Sequence, residues 1–223
     1  MARAKIGQAV PPLSISEWVQ GEEHNFNRLL GHVVLVEVFQ VNCPGCFLYS
    51  LPQAVELHQR YSDQGLVVLG LATAFEDFDK NKLTNLRLLL ETGEVVGETL
   101  RVLTEHGQLQ NGRWPLRIPF PVAMDRLIPM EKPVSEQTVQ DFIRQKLPDI
   151  AGHSDDYQDQ IRRRVFAYLN SLDYRPETFE CFDLQGTPSH ILVDKQGVLR
   201  AIRFGGFPEL ESQIRQLIVE AQT

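Results

Sequence analysis

Two cysteines three positions apart are the residues of this chain with the clearest chemical potential. Cys43 and Cys46 enclose Pro44 and Gly45, and the chain has only three cysteines in total. A pair with this spacing can form half of a zinc site, a buried structural pair, or a dithiol that opens and closes as a disulfide. The residues around the pair narrow this choice.

The cysteines lie where a buried strand is expected to meet a helix. Residues 32–41 read HVVLVEVFQV, an apolar run rich in β-branched residues, which is typical of a strand buried on both faces. Residues 47–62 carry apolar side chains at helical spacing and predict an amphipathic helix. Pro52 is expected to kink this helix, because proline removes a backbone donor and crowds the previous turn. A second buried strand is predicted over 66–72.

This location favours a reactive thiolate. The unpaired backbone N–H groups and the dipole at a helix N-terminus stabilise an anion, so a cysteine there has a pKa below that of a free thiol. Cys43 lies in the cap region, whereas Cys46 lies about one turn inside the helix. Pro44 suits the first helical position, since its missing N–H would have no partner there. Cys43 is therefore predicted to be the accessible nucleophile.

Glu37 is an acid inside the apolar strand, six residues before Cys43. Burial of a carboxylate is costly, so its presence needs a reason. One interpretation is proton transfer to or from the second thiol during turnover. The alternative is that the side chain simply reaches water at the edge of the sheet.

The end of the chain predicts a β-hairpin and a covering helix. Residues 182–204 contain two short β-rich runs joined through Lys195-Gln196-Gly197. The segment that begins at Pro208 places apolar residues on one helical face, namely Leu210, Ile214, Leu217 and Ile218.

With these elements in place, the chain resembles the thioredoxin superfamily. The resemblance is carried by strand-CPGC-helix followed, far downstream, by Gly186-Thr187-Pro188 at the start of a strand. The opening segment is similar to that of the redoxin branch, which includes TlpA/ResA-type thiol-disulfide proteins and AhpC/TSA peroxidases. The match covers roughly residues 6–75 and 117–222. It implies an α/β fold with a central mixed sheet flanked by helices.

The resemblance also implies a catalytic set. Cys43 would attack a substrate disulfide, and Cys46 would resolve the mixed disulfide. Glu37 falls where related proteins keep a buried acid behind the dithiol.

A substrate-binding set follows from the same resemblance. Pro188 would form a cis peptide bond and face the cysteines, and Thr187 would offer its backbone to an extended substrate peptide. Pro44 and Gly45 would complete this surface between the two thiols.

The middle of the chain exceeds what a thioredoxin core needs. Residues 79–106 are predicted to be helical, and 118–125 resemble the next core strand. Residues 127–178 predict an inserted helical pair with two apolar stripes. The simplest interpretation is that both stripes are buried in the core. The alternative is that the helical pair forms a substrate-recognition lid. The stripes are Val139, Phe142, Ile143 and Leu147, and Tyr157, Ile161, Val165, Tyr168, Leu169 and Leu172. Because no linker separates the insertion from the rest, the whole chain, 1–223, is predicted to be one domain. The basic run 162–164 is predicted to be a solvated face.

Composition excludes several function classes. A net charge of −7 disfavours nucleic-acid and anionic-membrane partners. The sequence has no apolar run suited to a signal peptide or a membrane span, so the expected location is the cytoplasm. No cofactor motif is present, and no cofactor is expected. No second cysteine pair or paired histidines supports zinc binding. His190 is interpreted as an ordinary strand residue and Cys181 as a buried thiol.

The function predicted is thiol-disulfide oxidoreductase. The expected partners are a disulfide-containing protein or small-thiol substrate, and a reductase or thiol electron donor. A peroxiredoxin-like peroxide reductase is the alternative, although Gln40 stands where that family has threonine three positions before its reactive cysteine. A third hypothesis is a redox-sensing or scaffolding module that binds partners through the inserted helices.

Overall fold

The computed structural model describes residues 3–220, and its framework in that range is a mixed sheet of six strands. The strands of the chain are β1 Ile15–Gln20, β2 Val33–Phe39, β3 Leu66–Ala72, β4 Val122–Asp125, β5 Leu127–Pro129, β6 Tyr174–Pro176, β7 Ser189–Val193 and β8 Leu199–Phe204. The main sheet has the order β1-β4-β3-β2-β7-β8, and β5 pairs with β6 separately. The β2–β3 and β3–β4 pairs are parallel, and the other pairs of the main sheet are antiparallel.

Helices flank this sheet, which confirms the predicted α/β class. The helices within residues 3–220 are α1 Leu51–Tyr61, α2 Leu83–Thr92, α3 Gly97–Glu105, α4 Glu136–Lys146, α5 Asp155–Ser171, α6 Glu177–Cys181 and α7 Leu210–Val219, of which α4 and α5 belong to a separate compact unit. The predicted hairpin is confirmed as β7 and β8, and α7 buries Leu210, Ile214 and Leu217 as expected. Within residues 3–220, no helix has the length and apolarity that crossing a membrane requires.

Strand β2 is buried along its whole length because it has a neighbour on each side and apolar layers on both faces. Successive side chains of a strand point to opposite faces. Leu35 and Phe39 belong to the apolar cluster that contains α1 and both site cysteines. Val36 and Val38 belong to the cluster on the other face. The near-continuous apolar run in the sequence reflects this double burial.

A short π-helix, Cys46–Ser50, precedes α1. The backbone N–H of Leu51 donates to the carbonyl of Cys46, five residues back, and Pro52 lies in the first turn of the following α-helix. A proline is tolerated there because the N–H groups of the first turn have no partner within the helix. The distortion expected from Pro52 thus takes the form of a π turn ahead of the proline.

The region 79–106 contains two helices, α2 and α3. Gly93 ends α2 in the left-handed conformation, with φ of +78°. A Cβ atom at this position would approach the carbonyl oxygen of Trp114 to 2.6 Å, so only glycine fits there. The core strand expected within 118–125 is confirmed as β4.

The described residues form two compact units. One comprises the residues up to Leu127 and from Pro176 onward, and the other is Ile128–Arg175. The prediction that the whole chain is a single domain stays a prediction.

Within the second unit, α4 and α5 pack against each other. Val139 of α4 and Val165 and Leu169 of α5 share one small apolar cluster, so the two predicted stripes meet each other. Leu147, Tyr157 and Tyr168, which were expected in these stripes, are largely exposed instead. The basic run 162–164 is exposed, as predicted.

Asp125 is a buried acid that links β4 to α6. One carboxylate oxygen accepts the backbone N–H of Thr178 at 2.9 Å. The other accepts the hydroxyl of Thr73 at 2.9 Å and the N–H of Phe179 at 3.2 Å. Burial raises the pKa of Asp125 from 3.8 to about 6, although these hydrogen bonds act in the opposite direction.

Asp125 should make the protein less stable as the pH rises. Because its pKa is higher in the folded state, its contribution to stability is complete below about pH 4 and is lost as the pH rises through about 6. One pKa unit corresponds to about 1.4 kcal/mol, so the loss is roughly 3 kcal/mol. Urea unfolding between pH 4 and pH 7.5 should show this component in the wild-type protein and not in Asp125→Asn. Asp63→Asn, at an exposed position, is the matched control; parallel pH profiles for wild type and Asp125→Asn would contradict the prediction.

Candidate active site

The two cysteines of the CPGC segment form a disulfide, with Cα atoms 5.4 Å apart. Cys43 is 9% exposed and Cys46 is fully buried. The backbone N–H of Cys46 points to Cys43 Sγ at 3.3 Å, so the start of the helix supplies a donor to this sulfur. In the reduced protein the same donor favours a thiolate on Cys43. The difference in accessibility between the two cysteines is as predicted.

The loop before β7 lies against Cys43. The Thr187–Pro188 peptide bond is cis, as predicted. The carbonyl oxygen of Thr187 lies 3.6 Å from Cys43 Sγ, a contact without a hydrogen bond while the sulfur is in a disulfide. A Cβ atom at Gly45 would lie 3.9 Å from Pro188 Cδ, which places these two residues side by side. Pro44, Gly45, Thr187 and Pro188 are all half-buried, so the structure brings the predicted binding residues together around one sulfur.

Gln40 positions Thr187. Its carbonyl oxygen accepts the Thr187 hydroxyl at 3.1 Å, and its amide nitrogen donates to the carbonyl of Glu76 at 3.3 Å. Gln40 is only 2% exposed, so these hydrogen bonds anchor the Thr187 loop from the protein interior. The partners lie 36 and 147 residues away along the chain, and no local sequence signal indicates this role.

Asn42 ties the active-site loop to α3. Its side-chain oxygen accepts the backbone N–H of Glu98 at 2.7 Å, and its amide nitrogen donates to Asp77 at 2.8 Å. Its own backbone N–H donates to Asn81 at 2.8 Å. A Cβ atom at Gly97 would overlap the Asn42 side chain, so glycine is needed for this approach. The Asn42 side chain thus serves as a cap for α3 from a distant part of the chain.

Glu37 is fully buried in the middle of β2. The interpretation that it lies at the sheet edge is wrong, because β2 pairs with β3 on one side and β7 on the other. Glu37 is in register with Gly70 and His190. Strand alternation puts it on the face of Leu35 and Phe39, whose apolar cluster includes both site cysteines.

His190 is the functional candidate that the sequence did not single out. Its Nδ1 lies 2.7 Å from Glu37 Oε2, and its Nε2 lies 3.1 Å from the carbonyl oxygen of Gly205. Burial lowers the pKa of His190, but the contact with Glu37 and the Gly205 carbonyl raise it more, so that the net pKa is above the usual 6.5. The contact with Glu37 is close but poorly aligned for a hydrogen bond. Register across β2 and β7 creates this pair, and local sequence does not encode it.

The other candidates are placed apart from this chemistry. Cys181 is buried, and burial raises the pKa of its thiol, which makes it a poor nucleophile. Across residues 3–220, no three or more His, Cys, Asp or Glu side chains form a group that could hold a metal ion.

Comparison with known proteins gives structural relatives. No protein-family model matches the chain, and no curated protein matches it by sequence. A crystal structure of a thiol-disulfide isomerase from Corynebacterium glutamicum shares 26% identity at a TM-score of 0.60 and covers 96% of this chain and 97% of its own. A crystal structure of a thioredoxin-like superfamily protein shares 25% identity at a TM-score of 0.59, over 96% and 99% of the two chains. The solution structure of an oxidised thioredoxin-like protein, at 16% identity and a TM-score of 0.53 over 96% and 97% of the two chains, shares the fold.

The fold and the cysteine pair define the class of this protein as a thioredoxin-like oxidoreductase. The chain belongs to the thioredoxin superfamily, as its motifs indicated, and it carries a helical segment within that fold.

Cys43 should be the first thiol of the reduced protein to be alkylated. Its sulfur accepts a backbone N–H, whereas Cys46 is fully buried and burial raises the pKa of the Cys181 thiol. Iodoacetamide near pH 6, followed by peptide mass spectrometry, should modify Cys43 at least about tenfold faster than the other two. Cys43→Ser should abolish the fast phase and Cys181→Ser should not change it. Faster labelling of Cys46 or Cys181 would reverse the assignment.

Proposed function

We propose that this protein exchanges disulfides with extended protein segments, with Cys43 as the nucleophile and Cys46 as the resolving thiol. The observation that carries the proposal is the placement of the accessible Cys43 sulfur beside the cis Thr187–Pro188 bond, while Cys46 is fully buried. A partner disulfide can therefore reach the sulfur of Cys43 before it can reach that of Cys46.

The reaction needs no further cofactor. The Cys43 thiolate attacks one sulfur of the partner disulfide, a mixed disulfide forms, and the partner's other sulfur leaves as a thiolate. Cys46 then loses its proton and attacks Cys43, which restores the intramolecular disulfide and releases the partner as a dithiol. Two electrons pass to the partner. The same steps in reverse oxidise a partner, and the direction follows the relative reduction potentials.

An apolar surface beside the loop suits an extended peptide. Phe204 at the end of β8 is 57% exposed, and its ring lies over Gly186, where a Cβ atom would approach it to 2.5 Å. The ring thus lies over the residue that directly precedes Thr187. A peptide that pairs with this backbone would lay an apolar side chain on Phe204. The relatives at 25% and 26% identity, one of them a thiol-disulfide isomerase, support this class of partner.

Peroxide reduction is the less favoured chemistry at this site. Such a reaction needs preorganised donors at the departing oxygen, since negative charge develops there. Gln40 stands where the peroxidases have threonine, and both ends of its amide are engaged, with Thr187 and with Glu76. One of its amide hydrogens is thus already used, and the hydroxyl that the peroxidases place at this position is absent.

The proposed setting is the cytoplasm, where a cysteine pair of this kind is kept reduced. A reductase or a small-thiol donor must then regenerate the dithiol after each turnover. Cell fractionation with an antibody against the protein tests the location. The alternative that the inserted helices serve a sensing or scaffolding module stays a hypothesis, and it predicts tight, redox-dependent complexes with little turnover.

Reduced protein should cleave the disulfides of insulin or of a disulfide dye at a useful rate. Cys43→Ser should abolish this activity, Cys46→Ser should accumulate the mixed disulfide, and Cys181→Ser should behave as wild type. Stopped-flow oxidation by hydrogen peroxide should be no faster than that of an ordinary thiol of low pKa. A peroxide rate constant several orders of magnitude higher, with sulfenic acid on Cys43 of Cys46→Ser, would establish the peroxidase function instead.

A further inference from the structure

Hydrogen-bond accounting constrains the proton state of His190. The carbonyl oxygen of Gly205 can only accept, so Nε2 of His190, at 3.1 Å from it, must carry a hydrogen. The other ring nitrogen, Nδ1, lies 2.7 Å from Glu37 Oε2. Two lone pairs at this distance would repel each other, so one of the two atoms must carry a proton, although the groups are not aligned for a hydrogen bond. The pair thus holds that proton in a site where both side chains are buried.

We propose that His190 is a positioning residue that acts as an imidazolium and keeps Glu37 ionised, so that Glu37 can take the proton of Cys46 in the resolving step. This inference rests on the proposed exchange function and adds a residue to it. A lone buried carboxylate would hold a proton of its own and could not serve as a base. The imidazolium of His190 beside Glu37 favours the ionised carboxylate, which can then accept a proton.

The free oxygen of Glu37 faces the dithiol side of the sheet. Within residues 3–220, Oε1 is buried and has no hydrogen-bond partner. A buried polar atom without a partner is costly, which calls for an explanation. Leu35 and Phe39, two positions before and after Glu37, belong to the same apolar cluster as Cys46, and strand alternation gives Glu37 the same face. A carboxylate oxygen there has the chemistry to accept the Cys46 proton.

His190 also connects the acid to the substrate loop. Gly205 accepts from His190 Nε2, and its own N–H donates to the carbonyl of Pro188 at 2.9 Å. The ring of Phe207 packs against the imidazole at 6.0 Å between centroids. The imidazole is thereby fixed between the acid and the cis-proline loop.

Several other titratable groups lie on the elements packed around the pair. In addition to the two cysteines, they are Glu56, His58, Arg60 and Tyr61 of α1, Arg200 and Arg203 of β8, and Glu211 and Arg215 of α7. Burial lowers the pKa of His58, and the hydrogen bond from Tyr61 lowers the pKa of Glu211. The guanidinium of Arg203 lies over the Phe207 ring, 5.5 Å from its centroid.

The proton balance of the resolving step is complete. Cys46–SH transfers its proton to Oε1 of Glu37, so that a neutral carboxylic acid faces the imidazolium. The Cys46 thiolate attacks Cys43 Sγ, the bond from Cys43 to the partner sulfur breaks, and the partner leaves as a thiolate. Glu37 then returns its proton to the leaving thiolate or to water.

The test is a single turnover with an aromatic disulfide dye whose released thiolate is coloured. The first coloured thiolate reports attack by Cys43, and the second reports resolution by Cys46. His190→Gln retains a donor for Gly205 and loses the positive charge. It should slow the second phase at least about tenfold at pH 7 and move its pH profile upward, while the first phase is unchanged.

Two further variants separate this role from structural damage. Glu37→Gln should match His190→Gln, and the double variant should be no slower than either, because both act through one proton transfer. Asp125→Asn removes a different buried acid, whose pKa is about 6, and should leave the profile of the second phase unchanged. An unchanged second-phase profile in His190→Gln, equal slowing of both phases, or additive losses would each overturn the inference. Absence of both phases in the wild-type protein would instead overturn the proposed function.

Nuclear magnetic resonance of histidine labelled with nitrogen-15 gives a readout independent of activity. In the reduced wild-type protein near pH 7, both ring nitrogens of His190 should carry protons. In Glu37→Gln the proton on Nδ1 should be lost, since burial alone lowers the pKa of the imidazole. A bare Nδ1 in the wild-type protein would overturn the imidazolium.

Discussion

The register between β2 and β7 is the constraint on which the site depends. It places Val38 opposite Ser189 and Glu37 opposite His190. Since Cys43 follows β2 and the cis-proline precedes β7, the same register brings the Thr187 carbonyl to the Cys43 sulfur. Side chains alternate between the faces of a strand, so a shift of β7 by one residue would turn His190 to the face opposite Glu37. The pairing of β2 with β7 therefore positions both the cis-proline loop and the buried pair Glu37 and His190.

Burial of a carboxylate in the central strand is unfavourable unless a partner compensates it. Here the compensation comes from an imidazole on the adjacent strand. Asp125 shows a different solution to the same problem, with two backbone N–H groups and a hydroxyl around its carboxylate. The hydrogen bonds make Asp125 a structural link between β4 and α6. Neither carboxylate oxygen of Glu37 has a hydrogen-bond partner in the described part of the chain, and one of them lies 2.7 Å from His190 Nδ1.

The segments outside a minimal thioredoxin core have different relations to the site. Helix α3 is tied to it directly, because Asn42 caps this helix and the hydroxyl of Thr99 donates to the Val41 carbonyl at 2.9 Å. Trp114, from the segment after α3, packs edge-on against Phe47 beside Cys46, at 4.8 Å between ring centroids. The second compact unit, Ile128–Arg175, has its own apolar cluster between α4 and α5. One added segment, α3 with the residues that follow it, thus contacts the dithiol loop. The other, Ile128–Arg175, forms a small core of its own.

The sequence by itself determined the elements whose signals are local. The apolar run of β2, the helical spacing of α1, the turn at Lys195-Gln196-Gly197 and the CPGC segment at a helix start are each readable within a few residues. They were sufficient for the fold class and for the roles expected of Cys43 and Cys46. Gly93, which separates α2 from α3, also acts locally, yet its need for glycine comes from the distant Trp114 carbonyl.

Only the tertiary structure decided which polar side chains meet. Gln40 bonds to Thr187 across 147 positions, and Asn42 reaches α3 across 56. His190 has an unremarkable sequence context, and its closeness to Glu37 arises from strand register. Hydrophobic pattern specifies which face a residue takes, but it does not specify which strand lies beside it. The partner of a buried acid is a property of that neighbouring strand, and so it was settled by the assembled sheet.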